Sequence, residues 1–517
     1  MFIKILLLVI FIIVMLAIGF HYRRTVSNVS DFVLGGRNVG PWVTAFAYGT
    51  SYFSAVVFVG YAGQFGWNFG VSATWIGLGN AFIGSLLAWV LLGRRTRVMS
   101  KHFEASTMSE FFEKRYNSTS LKILSSIIIF VFLIPYSASV YKGLSGLFSV
   151  AFNVDFTYCI IGMALLTAIY VILGGYMATA INDLIQGIIM LFGIVFIVFA
   201  VLNGQGGFTA AMTKLSQIDL PNVAQSGALT SFFGPDPINL LGVVILTSVG
   251  TWGLPQMVHK FYTVKNEKTI KTGTIISTVF AVIIAGGSYF MGSFGRLYMN
   301  SGNSPAGGYD QIVPNMLKDM PDLLIGIVII LVLSASMSTL SSIVLTSSST
   351  FTIDFLKGFA FKKLKEKSEV KIIRILCAVS ILFSVILALN PSNLITTLMS
   401  VSWGTLAGCF LGPFLYGLFW RKVTKSAVFA SFITGIGITG FGFIISIFKI
   451  NLPSNIAAIA TPPNFGALAI IVSLIIVPLV SLVTPKLSKE YVDSAFECYD
   501  EKIVTEHKFS LDEVSEE

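Results

Sequence analysis

The sequence predicts an all-α polytopic membrane protein of about thirteen transmembrane helices, on three observations. Of its 517 residues, 55% are hydrophobic and only 11% charged, with a mean hydropathy of +0.82, too apolar for a soluble globule of this length. Uncharged runs of about 20 residues, enough to cross a hydrocarbon core of about 30 Å, recur from end to end. Lysine and arginine gather in alternate loops, as they do when cytoplasmic loops retain positive charge.

The apolar runs fall near residues 2–20, 41–63, 69–92, 122–146, 156–174, 181–203 and 237–259, then 273–295, 322–352, 373–389, 394–419, 426–448 and 465–484. The first run reads as a retained helix rather than a signal peptide, because no small-residue cleavage site follows it and Arg23 and Arg24 come next. One set of loops holds nearly all the cations: Arg23, Arg24 and Arg37; Arg94, Arg95, Arg97 and Lys101; Lys260, Lys265, Lys268 and Lys271; Lys357, Lys362, Lys363, Lys365, Lys367 and Lys371; Arg421, Lys422 and Lys425. The opposite loops hold little beyond Lys214, Arg296, Lys318 and Lys449. The expected topology places the N-terminus outside and the C-terminus in the cytoplasm of a cell-membrane protein. The formal charge of +9 then lies at the cytoplasmic face of the bilayer and calls for no nucleic acid.

Cys159, Cys377, Cys409 and Cys498 are too scattered for a disulfide framework or a metal site. Residues 1–485 read as a single transmembrane domain. The tail, 486–517, is acidic and too poor in apolar residues for a core of its own, so partial disorder is expected there.

Two spans are interrupted at comparable depth, the sequence feature that points to a transporter's binding site. The first break lies in Ala47–Ser54, and the second is the run Gly250, Thr251, Trp252, Gly253, Leu254 and Pro255. Backbone freed by such breaks must be satisfied, and lining an ion or solute cavity is one way; a plain proline kink is the other. Five helices separate the start of one broken helix from the start of the other, so the two run in opposite directions. An inverted repeat results, with core halves at about 41–203 and 237–420. Tyr52, Ser54, Thr251 and Trp252 sit at the breaks and are the candidate solute contacts, or else packing residues.

The ninth run is rich in hydroxyls. Ala335, Ser338, Thr339 and Ser342 recur at i, i+3, i+4 and i+7, so a carbonyl and three hydroxyls share one helix face. Neutral oxygens at close range suit a hard monovalent cation stripped of water. Close helix packing explains serine and threonine as well. The broken second span, with carbonyls at Thr50 and Phe53 to complete a shell, favours the ion site. Asp183 is the clearest carboxylate near a helix entry, and reads either as a functional intramembrane acid or as an interfacial N-cap.

At these residues the sequence resembles the sodium:solute symporter family, over about residues 30–430. The stretches that carry the resemblance are Phe32-Val33-Leu34-Gly35-Gly36-Arg37, Ser51 through Gly60 into Trp75, Gly174-Gly175-Tyr176 through Asp183 and Gln186-Gly187, and Met337 to Ser341. The resemblance implies a LeuT-type core of five plus five inverted helices, sodium as coupling ion, and a sodium site built from the Thr50, Phe53 and Ala335 carbonyls and the Ser338 and Thr339 hydroxyls. By similarity to sialic acid transporters it implies a second sodium site at Asp183, Ser341 and Ser342, with Ser338. Within the family the chain looks similar to pantothenate and monocarboxylate permeases, with proline permeases next. Thr251 stands where a sugar-stacking tyrosine would be expected, and Tyr52 where proline permeases carry an aspartate.

The function implied is sodium-coupled import of a small solute, a carboxylate such as pantothenate, a monocarboxylate or an amino acid, with a proton-coupled or a sugar or sialic acid symporter as alternatives. No covalent chemistry is expected, since His21, His102, His259 and His507 form no paired metal motif. A membrane enzyme and a channel are the rivals from other classes. The expected partners are the solute, sodium and lipid; oligomeric state is not legible.

Overall fold

A computed structural model describes residues 2–499 apart from 23–28, 38, 221–222, 224–225, 300–304, 306, 319, 362–365, 391–393 and 449. Arg23, Arg24, Lys362, Lys363, Lys365, Lys449 and His507 lie outside the described residues, as does the end of the acidic tail from Asp500. Among the described residues nine helices are long and apolar enough to cross a membrane, and a tenth passes as a pair bent by 44°. We number the helices α1 Phe2–Tyr22, α2 Pro41–Tyr52, α3 Val56–His102, α4 Thr119–Phe152, α5 Phe156–Gly204, α6 Pro237–Gly253, α7 Pro255–Tyr262, α8 Glu267–Gly292, α9 Asp322–Phe359, α10 Ser368–Ala388, α11 Ile395–Phe419, α12 Lys425–Phe448, α13 Pro462–Val483 and α14 Lys489–Glu497. No β-strand occurs among the described residues, and Val39 and Val264 form an isolated bridge.

Local chemistry sets several starts. Pro41, Pro237 and Pro255 each open a helix where a missing N–H costs nothing. The Asp236 side chain accepts from Asn239 N–H at 3.2 Å and that of Asn266 from Thr269 N–H at 2.9 Å, capping α6 and α8. Within α5, Tyr176–Gly204 is long and apolar enough to cross a membrane and Phe156–Ile169 is a shorter apolar stretch. Asp183 therefore lies inside a helix, fully buried, and the N-cap reading is excluded.

Glycines let backbones meet directly. A Cβ added at Gly292 of α8 would strike the Ala62 carbonyl of α3, and one at Gly66 would strike the Gly292 backbone. Further along the same pair, a Cβ at Gly77 would come within 2.7 Å of Gly286 N. Close backbone approach of this kind is how membrane helices gain packing without a hydrophobic driving force between them.

The first part of the tail, up to Tyr499, is ordered into a helix. Val492, Ala495 and Phe496 form the buried face of α14. The Phe496 ring lies beneath the guanidinium groups of Arg115, at 4.9 Å, and Arg421, at 5.1 Å, and the Tyr499 ring lies 4.7 Å from that of Arg95. Tyr499 OH donates to Leu418 O at 3.1 Å, and Tyr491 OH to Lys114 O. The short apolar face suffices because these arginines supply flat cationic partners for its aromatic rings. Phe496→Ala is expected to lower stability by about 3 kcal/mol, read as a drop in melting temperature in detergent. Asp493→Asn should change it little, because the Arg421–Asp493 ion pair is about half exposed on both sides.

Candidate functional site

The helix of α2 ends inside the protein. Phe53 N–H closes the last turn on Gly49 O at 3.3 Å, and Phe53 itself is extended, with φ −111° and ψ 113°. Val57 N–H reaches Ser54 O at 2.9 Å, leaving the Thr50 and Phe53 carbonyls outside the helical ladder. Facing this break is α9. Ser338 Oγ lies 3.1 Å from Thr50 O and 3.0 Å from Ala335 O, and Thr339 Oγ1 lies 3.2 Å and 3.0 Å from the same two oxygens. Four of the five predicted oxygens are thus gathered in one buried group, and Phe53 stands at the end of the break beside them. The set is neutral and all oxygen, drawn from two helices, and fits a hard monovalent cation.

The second break behaves similarly. A 3₁₀ turn, Gly250–Gly253, precedes the bend at Leu254, and α7 restarts at Pro255. Tyr52 OH bridges the two broken helices by donating to Thr247 O at 2.5 Å, while Thr251 Oγ1 donates to Ser248 O at 2.8 Å. The Gly84 backbone of α3 sits between them: Thr251 Oγ1 is 3.3 Å from Gly84 O, and a Cβ there would strike the Tyr52 hydroxyl. Ser54 is buried at the first break, its Oγ accepting from Val56 N–H at 3.2 Å. Trp252 is not part of this group; its indole N–H donates to Ile83 O at 3.0 Å and its ring is partly exposed.

Two residues that sequence reasoning missed complete the surroundings. Trp403 of α11 lies 5.9 Å from the Tyr52 ring, and Tyr136 of α4 stands edge-on to Trp403 at 5.6 Å, beside Ser54. Among the described residues the Trp403 indole N–H, the Tyr136 hydroxyl and Ser51 Oγ are buried with no partner at good hydrogen-bond geometry, although Tyr136 lies close to Ser54 and Trp403. Buried polar atoms of this kind call for a ligand or water.

Among the described residues no hydrogen bond links Asp183 to Ser341 or Ser342. Ser341 Oγ donates to Ser338 O of its own helix at 2.9 Å, and neither carboxylate oxygen of Asp183 has a hydrogen-bond partner among the described residues. Ser342 is buried on α9. The nearest charge is Lys260 of α7, whose Nζ is 3.8 Å from Asp183 Oδ2. Lys260 is therefore no loop cation, as its place among basic residues suggests, but a buried one.

The profile of the sodium:solute symporter family matches residues 32–435. The chain belongs to the sodium:solute symporter family. Sodium is accordingly the coupling ion of this symporter, and its relatives are transporters rather than enzymes. It is 29% identical over 434 residues to the sodium/proline symporter of Salmonella typhimurium, covering 81% of this chain and 84% of that one. To the osmoregulated proline transporter OpuE of Bacillus subtilis it is 28% identical, with coverage of 82% and 86%. The sodium/proline symporter of Staphylococcus aureus is 28% identical over 498 residues, 94% of this chain and 92% of its own. Among solved structures, a Na+-coupled sialic acid symporter in a substrate-bound outward-open state superposes with a TM-score of 0.72 at 18% identity, over 94% of this chain and 99% of the other. At that identity the likeness establishes the fold of the symporter and nothing about its solute.

Proposed function

We propose that the protein imports a small carboxylate-bearing solute, proline or a close analogue, together with sodium bound at Thr50, Phe53, Ala335, Ser338 and Thr339. The observation that carries this reading is the pair of hydroxyls on α9 held within 3.2 Å of the carbonyl freed by the break after α2. A cation there ties α2 to α9, and a solute between the breaks of α2 and α6 favours the same arrangement, so each ligand strengthens the other. The solute contacts are Tyr52, Ser54 and Thr251, with Tyr136 and Trp403 added and Trp252 demoted to packing. No lysine or arginine lies among these contacts, so the carboxylate is held by backbone N–H groups at the restarted helices, and aromatic faces suit the cationic amine of an amino acid.

The same reading assigns thirteen spans in a five plus five inverted core, halves at about 41–203 and 237–420, a single domain to residue 485, and the C-terminus in the cytoplasm. In support, the basic residues sit together at one end of the bundle: Arg37 donates to Ser100 Oγ and Tyr262 O, Arg94 pairs with Glu267 at 2.6 Å, and Arg95 reaches Leu418 O.

The test is uptake of radiolabelled proline into proteoliposomes under an inward sodium gradient, with pantothenate, lactate and sialic acid as competitors. Sodium-dependent uptake of a neutral sugar, untouched by any carboxylate, would sink the reading. Trp403→Ala should raise the solute concentration for half-maximal uptake more than tenfold, whereas Trp252→Phe should change it less than threefold. Sodium binding measured without solute should be unaltered in both.

A further inference from the structure

One helical turn from the sodium cage lies a second buried charge system. Gly187 of α5 packs on the Thr50 side chain, with an added Cβ 3.0 Å from Thr50 Cγ2, and Asp183 is four residues earlier on the same face of that helix. Asp183 is fully buried and Lys260 nearly so. The ammonium stands 3.8 Å from the carboxylate and 5.2 Å above the Tyr176 ring, whose hydroxyl is in turn fixed by Thr263 at 3.1 Å. On the same two helices the side-chain polar atoms of Asn182 and Gln256 and the Oε1 of Gln186 are buried without hydrogen-bond partners among the described residues.

We propose that the Lys260 ammonium is a built-in cation that takes the place beside Asp183 which a second sodium ion would need, so that the protein binds one sodium ion per chain and Asp183 ligates none. A buried carboxylate with no hydrogen bonds needs a cation close by. Lys260 already meets that need, fixed by the short helix that Pro255 starts and by the face of Tyr176. A sodium ion close enough to ligate Asp183 would lie within a few ångströms of the Lys260 ammonium in the same low-dielectric pocket, where two cations repel strongly. Ser341 Oγ donates to Ser338 O of its own helix at 2.9 Å and makes no hydrogen bond to the carboxylate among the described residues.

The inference rests on the sodium cage proposed above, and the experiment separates the two. Equilibrium binding of radioactive sodium to the purified full chain, without solute, should give one ion per chain and a Hill coefficient of 1. In Lys260→Met, purified in high sodium, Asp183 loses its partner and a second ion binds, giving two per chain and a Hill coefficient above 1. In the charge-balanced pair Asp183→Asn with Lys260→Met the number returns to one. Two ions in the unaltered protein overturn the inference and leave the cage intact; none overturns the cage itself. A Lys260→Met protein that still binds one ion, or that does not fold even in high sodium, also overturns it, since sodium then cannot stand in for the ammonium.

Discussion

In Ser338→Ala and in Thr339→Ala the sodium concentration for half-maximal uptake rises at least tenfold, and in the double variant uptake no longer depends on sodium. Each hydroxyl is one of the oxygens gathered around the carbonyls of Thr50 and Ala335. Losing one from a small shell removes a ligand that buried surroundings cannot replace with water. Alanine is at least as good a helix former, so α9 itself should persist. Two controls isolate the effect. Ser336→Ala removes a hydroxyl that bonds only Val332 O of its own helix, at 2.6 Å, and should leave sodium dependence unchanged. Thr339→Ser keeps the oxygen and should stay within about threefold of the parent, on the scale where 1.4 kcal/mol is tenfold. Unchanged sodium dependence in both alanine variants removes the site from α9.

Gly292→Val abolishes recovery of folded protein, and Gly292→Ala alone lowers the melting temperature by more than any single alanine substitution of a surface residue. The added Cβ meets the Ala62 carbonyl, a backbone atom held inside α3, so there is no side chain to turn aside. Ordinary overpacking costs about 1–3 kcal/mol because neighbours adjust; here one helix must move away from another along the seam that also includes Gly66, Gly77 and Gly286. Gly440→Ala provides the counterpart, since nothing lies within 4 Å of its added Cβ. That change should be neutral or stabilising by about 1 kcal/mol. Monodispersity on size exclusion and melting in detergent check both.

The gathering of oxygens between α2 and α9 was readable in the sequence because its signal is local. Hydroxyls at helical spacing and a glycine and serine break in an apolar run are periodic or compositional features, and Thr50, Ala335, Ser338 and Thr339 do converge. The site's other half was not. Lys260 follows a proline break in a stretch whose neighbours Lys265, Lys268 and Lys271 make it read as a basic loop, and its partner Asp183 lies in another helix, where no period connects them. Tyr136 and Trp403 sit in apolar runs and look like any other core aromatics; only the pairing across α4 and α11 places them against Tyr52. The seam at Gly66 and Gly292 is equally silent, since 47 glycines are scattered through the chain and contact alone distinguishes these. The tail helix carried a signal that composition hides: Val492, Ala495 and Phe496 stand at i, i+3 and i+4, one narrow apolar face.

That tail sets where the chain can be cut. The last span ends at Val483, and a truncation just beyond it would look harmless by hydropathy. It would leave Arg95, Arg115 and Arg421 without the rings of Phe496 and Tyr499 that cover them, and would strip the Leu418 and Lys114 carbonyls of their tyrosine donors. The shortest version that retains these helix ends as they stand here therefore runs to Tyr499. Any protease that nicks the loop at Pro485 should free α14 from its partners and, in the same step, uncover the guanidinium groups of Arg95, Arg115 and Arg421.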